Sequence, residues 1–222
     1  MTTSPLIALI SATPSAIKPA EQAIEAELPH ARVWNLLDDR LLVDAQERGG
    51  VDQELWQRME LLIRYALDAG AEGILLTCSQ YGAVAREVAT SNPAVPILAP
   101  DDAAFAAVSE GRFARVLVLA SVESSLVDTT ERLRAALKDP SATELVGLVV
   151  PGASVAASRA DAPALTELLV SAVRKSEQID AVLLAQYSLS IAQTALATEV
   201  GLPVFAGPSL AASVLASGLR SQ

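Results

Sequence analysis

The sequence predicts an α/β protein of two pseudosymmetric Rossmann-like lobes, each with a four-stranded parallel sheet flanked by helices. Three observations predict it. Short β-branched or leucine-rich runs alternate with longer helical patterns, as repeated βαβ units require. The runs are almost continuously apolar, which suits strands covered by helices on both faces. They also divide into two sets of four: LIALISA superposes on VLVLASV, GILLTCS on AVLLAQY, and PILAPDDAA on PVFAGPSLAA, at an offset of about 107 to 110 residues. Lobe 1 is expected at residues 1–98, with 207–222 folding back onto it, and lobe 2 at 99–206.

In chain order, LIALIS (6–11) is the first strand and runs into the hydroxyl-bearing turn Ser11 to Thr13. ARVWNLL (31–37) is the second, leaving through Asp38 and Asp39. QELWQRMELLIRYALDAG carries Leu55, Met59, Leu62, Ile63, Ala66 and Leu67 at helical spacing before Gly70 closes it. GILLTC (73–78) is the third strand, and SQYGAVAREVA continues as a helix. VPILAP (95–100) ends the first set, and Asp101 and Asp102 read as first-turn helix acids. The second set is RVLVLAS (115–121), ELVGLVVP (144–151), AVLLAQ (181–186) and LPVFAG (202–207). VPGASVAAS, after the second of these, is a small-residue anion loop or a lid.

Composition narrows the function classes. A chain of 222 residues, 51% hydrophobic, belongs to a well-buried globular protein. Its net charge of −10 opposes nucleic acid and anionic lipid, so partners are proteins or small molecules. No apolar run reaches the roughly 18 residues that span a bilayer. The first residues lack a basic segment followed by an apolar one, so a cytoplasmic protein is expected. One cysteine and one histidine, His30, cannot supply a structural zinc site, and no metal or cofactor is expected. A homodimer is expected because twofold assemblies are the commonest.

Ligands of open parallel sheets bind beyond the carboxyl ends of the strands. Those ends are small or hydroxylic here, with Ser11, Thr77, Ser79 and Ser121 among them, and basic side chains are absent. A carboxylate would be held by N–H groups and hydroxyls. Cys78 stands at such an end, where a helix start favours the thiolate, the reactive form. Packing alone would also account for a buried cysteine, as capping would for Thr77 and Ser79. Asp38 is a strand-exit acid, a partner of the cysteine loop or a ligand to substrate. His30 falls in a surface loop, and Trp34 and Trp56 read as core or interface aromatics.

LLTCSQYG, WNLLDD at 34–39, the paired LLAQYS and the duplicated layout resemble the aspartate/glutamate racemase superfamily, which includes hydantoin racemases, maleate isomerases and arylmalonate decarboxylases. The resemblance covers essentially the whole chain in layout. It implies catalysis without metal or organic cofactor on a small carboxylate bound between the lobes. In two-cysteine members, one cysteine from each lobe flanks the reacting carbon. This chain departs there: the repeat offset places Gln186, followed by Tyr187, where the second cysteine would stand, facing Cys78. An amide has no accessible proton-transfer pKa, so two-base racemisation is in doubt. Arylmalonate decarboxylases also hold a single cysteine, but in the second lobe.

The resemblance thus implies an enzyme working at a carbon next to a carboxylate, with Cys78 catalytic and Ser11, Asp38, Thr77, Ser79, Ser121, Gln186 and Tyr187 around the substrate. Decarboxylation or isomerisation fits one cysteine better than racemisation. The alternative is a catalytically inactive relative that binds a small carboxylate or a protein partner.

Overall fold

A computed structural model describes residues 4–220. The chain divides into two compact units: one runs up to Asp102 and includes the chain from Pro208, and the other spans Ala103–Gly207.

The first unit holds four parallel strands, β1 (Leu6–Ser11), β2 (Arg32–Leu37), β3 (Gly73–Leu76) and β4 (Ile97–Leu98), in the order β2-β1-β3-β4. Its helices are α1 (Ile17–Glu27), α2 (Arg40–Arg48), α3 (Gln53–Asp68) and α4 (Gly82–Ser91). Ala8 and Ile10 of β1 join a core with Leu41, Leu55, Met59 and Ile63 from α2 and α3. On the other face, a Cβ on Gly73 would stand 3.0 Å from Leu215 and 3.1 Å from Ile7. Glycine there lets the last helix approach β3 closely. Both faces are therefore covered, which explains why these strands are apolar throughout.

The second unit repeats the plan. It contains α5 (Asp102–Gly111), which starts at the unit's edge, then β5 (Arg115–Ala120), α6 (Glu123–Ala136), β6 (Glu144–Val149), α7 (Ala153–Ser158), α8 (Ala162–Arg174), β7 (Ala181–Leu184), α9 (Gln193–Val200) and β8 (Val204–Ala206). Its parallel strand order is β6-β5-β7-β8. Leu117 and Leu119 of β5 pack with Leu165 and Leu169 of α8 and Leu196 of α9. The chain ends in α10 (Gly207–Arg220).

Most strands stop short of their apolar runs. GILLTC forms pairs only to Leu76, and VPILAP contributes only Ile97 and Leu98. The leftover residues build the loops at the strand ends. VPGASVAAS is a loop only at its start: after the turn at Pro151 and Gly152, the latter at φ +82°, the chain enters α7, whose Ala153, Ala156 and Ala157 are buried. Among the described residues, no helix is long and apolar enough to cross a membrane.

Candidate functional site

Beyond β3, the Thr77 amide still donates to the Ile10 carbonyl at 3.0 Å, so Thr77 is held to the sheet. Cys78 follows in an extended conformation, φ −111° and ψ 119°. The chain then tightens into a 3-10 turn, Ser79–Tyr81, and the Tyr81 amide donates to the Cys78 carbonyl at 3.2 Å. The sequence suggests one helix from Ser79, but α4 begins only at Gly82. A helix dipole acts mainly within its first turn, so the N–H groups nearest Cys78 are those of the 3-10 turn. Cys78 is 7% exposed, Thr77 4% and Ser11 fully buried.

Thr77 and Ser11 are brought together, for the Thr77 hydroxyl donates to Ser11 Oγ at 2.9 Å. That bond gives both buried hydroxyls a partner and leaves Thr77 without a capping role. Ser79, half-buried, opens the 3-10 turn.

Asp38 joins the same cluster through its backbone, its amide donating to the Ser11 carbonyl at 3.0 Å. Its carboxylate accepts from the Arg40 amide at 3.2 Å and from Arg58 Nη2 at 2.6 Å. Arg58 Nη1 also donates to Asp44 at 2.9 Å, and Arg40 pairs with Asp44 as well. The strand ends therefore do hold a cation, contrary to the sequence reading. Arg58 comes from the middle of α3, and no local spacing in the sequence signals that it reaches the end of β2. The fully buried Tyr81 donates its hydroxyl to the Leu41 carbonyl at 2.8 Å. Burial first, and then the neighbouring charge of Cys78, push its pKa up to about 12.

In the second unit, the Ala185 amide donates to the Leu119 carbonyl at 2.9 Å, as Thr77 does to Ile10. Gln186 is extended like Cys78, with φ −138° and ψ 143°, and precedes the 3-10 segment Tyr187–Ala192. Its side-chain oxygen accepts from the Ser121 amide at 2.7 Å, so Gln186 and Ser121 are neighbours. Tyr187 is 4% exposed.

One equivalence needs correcting. Ile10 pairs with Leu76 and Leu119 with Leu184, which makes Ala120 the counterpart of Ser11 and sets Ser121 opposite Ala12. Strings of leucine and alanine superpose equally well one residue out of step, whereas ladder hydrogen bonds allow one register. Cys78 and Gln186 keep their correspondence. The hydroxyl pair Ser11 and Thr77 is replaced in the second unit by Ala120 and Ala185.

No protein-family profile and no curated protein matches the chain in sequence. Solved structures do match in fold. Glutamate racemase from Francisella tularensis subsp. tularensis SCHU S4, in complex with D-glutamate, superposes with a TM-score of 0.70 at 13% identity, over 100% of this chain and 82% of its own. Allantoin racemase from Klebsiella pneumoniae gives 0.70 at 16% identity, over 98% and 89%. A liganded arylmalonate decarboxylase variant, with one glycine exchanged for cysteine and one cysteine for serine, gives 0.62 at 21% identity, over 97% and 94%. The chain thus has the fold of the glutamate, aspartate and allantoin racemases and of arylmalonate decarboxylase.

Proposed function

We propose that the protein is a cofactor-independent enzyme acting at a carbon next to a carboxylate, of the isomerase, racemase or decarboxylase type, with Cys78 as its proton carrier. The observation that carries this reading is the place of Cys78. The chain's only thiol sits past the carboxyl end of an inner strand, where this class of sheet binds ligands, in an extended residue leading a 3-10 turn. A neighbouring fold supports a small carboxylate as the substrate class: one racemase is in complex with D-glutamate.

In this mechanism, N–H groups and hydroxyls at the strand ends take the substrate carboxylate. Ser79, Ser121 and Tyr187 are the proposed side-chain contacts, with Ser11, Thr77, Asp38 and Gln186 shaping their surroundings. As the bond at the α-carbon breaks, negative charge moves onto the oxygens of the carboxylate that stays on that carbon, where fixed donors stabilise it best. In a decarboxylation, the carbon–carboxyl bond breaks, carbon dioxide leaves, and the Cys78 thiol delivers its proton to the carbanion; water then reprotonates the thiolate. Gln186 cannot act as the second acid, and its oxygen is already engaged by the Ser121 amide. One-sided protonation, or isomerisation through a thiolate adduct to an activated double bond, therefore suits the residues better than two-base racemisation. Racemisation would need Tyr187, water or substrate movement at the other face. A cytoplasmic homodimer belongs to the same reading.

The test is a screen of small α-substituted mono- and dicarboxylates in deuterium oxide, followed by NMR. We expect α-proton exchange, isomerisation or carbon dioxide loss with the native protein and none with Cys78→Ala. A Cys78→Ala variant that keeps most of the activity would show the thiol mechanism to be wrong and move attention to Tyr187 and Asp38.

A further inference from the structure

We infer that Arg58 is a positioning residue that neutralises the Asp38 and Asp44 carboxylates beside the Cys78 turn and thereby keeps that thiol reactive. The inference rests on the proposed role of Cys78. Arg58 differs from the other arginines of its helix region. Arg64 bonds Glu60 one turn away, and Arg48 bonds Asp52 and Glu54, pairs that are largely exposed. Arg58 instead spans two carboxylates from different segments, whose side chains are only 18% and 11% exposed. Such groups cannot stay charged at low cost without a cation.

The cluster is tied to the residues on both sides of Cys78. Before it, Asp38 bonds Ser11 through the backbone, and Ser11 bonds Thr77. After it, Tyr81 bonds the carbonyl of Leu41, between Asp38 and Asp44. The charged and titratable groups within electrostatic range of the Tyr81 hydroxyl are Cys78, Arg58, Asp38 and Asp44, with Arg40 beyond on Asp44. Without Arg58, two carboxylates would face the turn with only Arg40 to offset them. Negative charge near a thiol disfavours the thiolate, which is the nucleophile and base.

The experiment measures the rate of Cys78 carbamidomethylation by iodoacetamide from pH 5 to 10, with circular dichroism to confirm folding. The variants are Arg58→Gln, Arg58→Lys, Asp44→Asn and the control Arg64→Gln. Arg58→Gln should move the midpoint of the rate profile upward and slow the reaction at pH 7 about fivefold or more, since each pKa unit is tenfold in thiolate. Asp44→Asn should move it downward, Arg58→Lys should restore part of the loss, and Arg64→Gln should match the native protein. Opposite signs for Arg58→Gln and Asp44→Asn mark an electrostatic role, whereas a merely structural one would loosen the turn in both. Shifts of the same sign overturn the inference, as does a profile for Arg58→Gln within twofold of the native one. Should Arg58→Gln not fold, the lysine and asparagine variants decide by the same signs. A native Cys78 that stays inert until the protein unfolds overturns the proposed thiol chemistry along with this inference; a reactive native thiol with unshifted variants overturns the inference alone.

Discussion

Ser11 and Thr77 make the sharpest residue-level comparison between the units. Their hydroxyls bond each other in a place where the second unit has Ala120 and Ala185. A buried hydroxyl that loses its only partner costs more than a pair removed together. Thr77→Val should therefore destabilise the protein by about 1 to 3 kcal/mol, and the double variant Thr77→Val with Ser11→Ala should cost clearly less than the two single changes summed. Urea denaturation of the four proteins measures the coupling, and strictly additive effects would contradict it. Cys78→Ala, in contrast, removes a single sulfur atom and should cost below about 2 kcal/mol, so its loss of turnover can be read as chemistry.

Among the elements, α3 was the most legible. The periodicity singles out Leu55, Met59, Leu62, Ile63, Ala66 and Leu67; Leu55, Met59, Ile63 and Ala66 are fully buried, and Leu62 and Leu67 are partly buried against the same core. Gly70, at φ +84°, ends the segment as the sequence suggests, because only glycine takes that conformation without strain. Asp52 caps the helix by accepting from the Leu55 amide at 2.9 Å. That bond first, and the Arg48 ion pair second, hold its carboxyl below the usual range. A depressed folded pKa adds stability that is present above the unfolded value of 3.8 and lost as pH falls below it. Asp52→Asn should thus lower the melting temperature at pH 7, and the gap should narrow as the pH is taken below 3.8, as calorimetry on either side of that value will show. A gap of equal size at both would assign the effect to something other than the charge. The 3-10 turn before α4 was not legible: SQYGAVAREVA has good helical composition throughout, and the bond that anchors Tyr81 goes to Leu41, a residue far away in sequence.

For the whole molecule, the return of the chain is the decisive feature. Pro208 onward belongs with the first unit, where Leu215 of α10 contacts the Gly73 and Ile7 face of the first sheet. Ala211, Ala212, Leu215 and Ala216 are fully buried. α1 covers part of that face through the buried Ala20 and Ile24, and α10 closes it over Gly73. Leu215→Ala should cost about 2 to 5 kcal/mol, the range for emptying a packed core site. A change in the urea midpoint of less than about 0.5 kcal/mol in equivalent stability, the scale of surface substitutions, would mean that α10 is not a working part of that core.

The sequence by itself determined the α/β class, the eight strands, their division into two sets of four and the position of the lone thiol beyond a strand end. Each of these is written in local period and apolar character, which depend on neighbours within a few residues. Tertiary structure alone decided the register of the repeat, the shortness of the strands and the company that Cys78 keeps. Register is set by ladder hydrogen bonds that are indifferent to whether leucine or alanine occupies a position, so the matching of Ser11 to Ala120 was invisible in the letters. Arg58 meets Asp38 because α3 and the end of β2 pack together, and an ion pair between separate elements leaves no periodic trace in the chain.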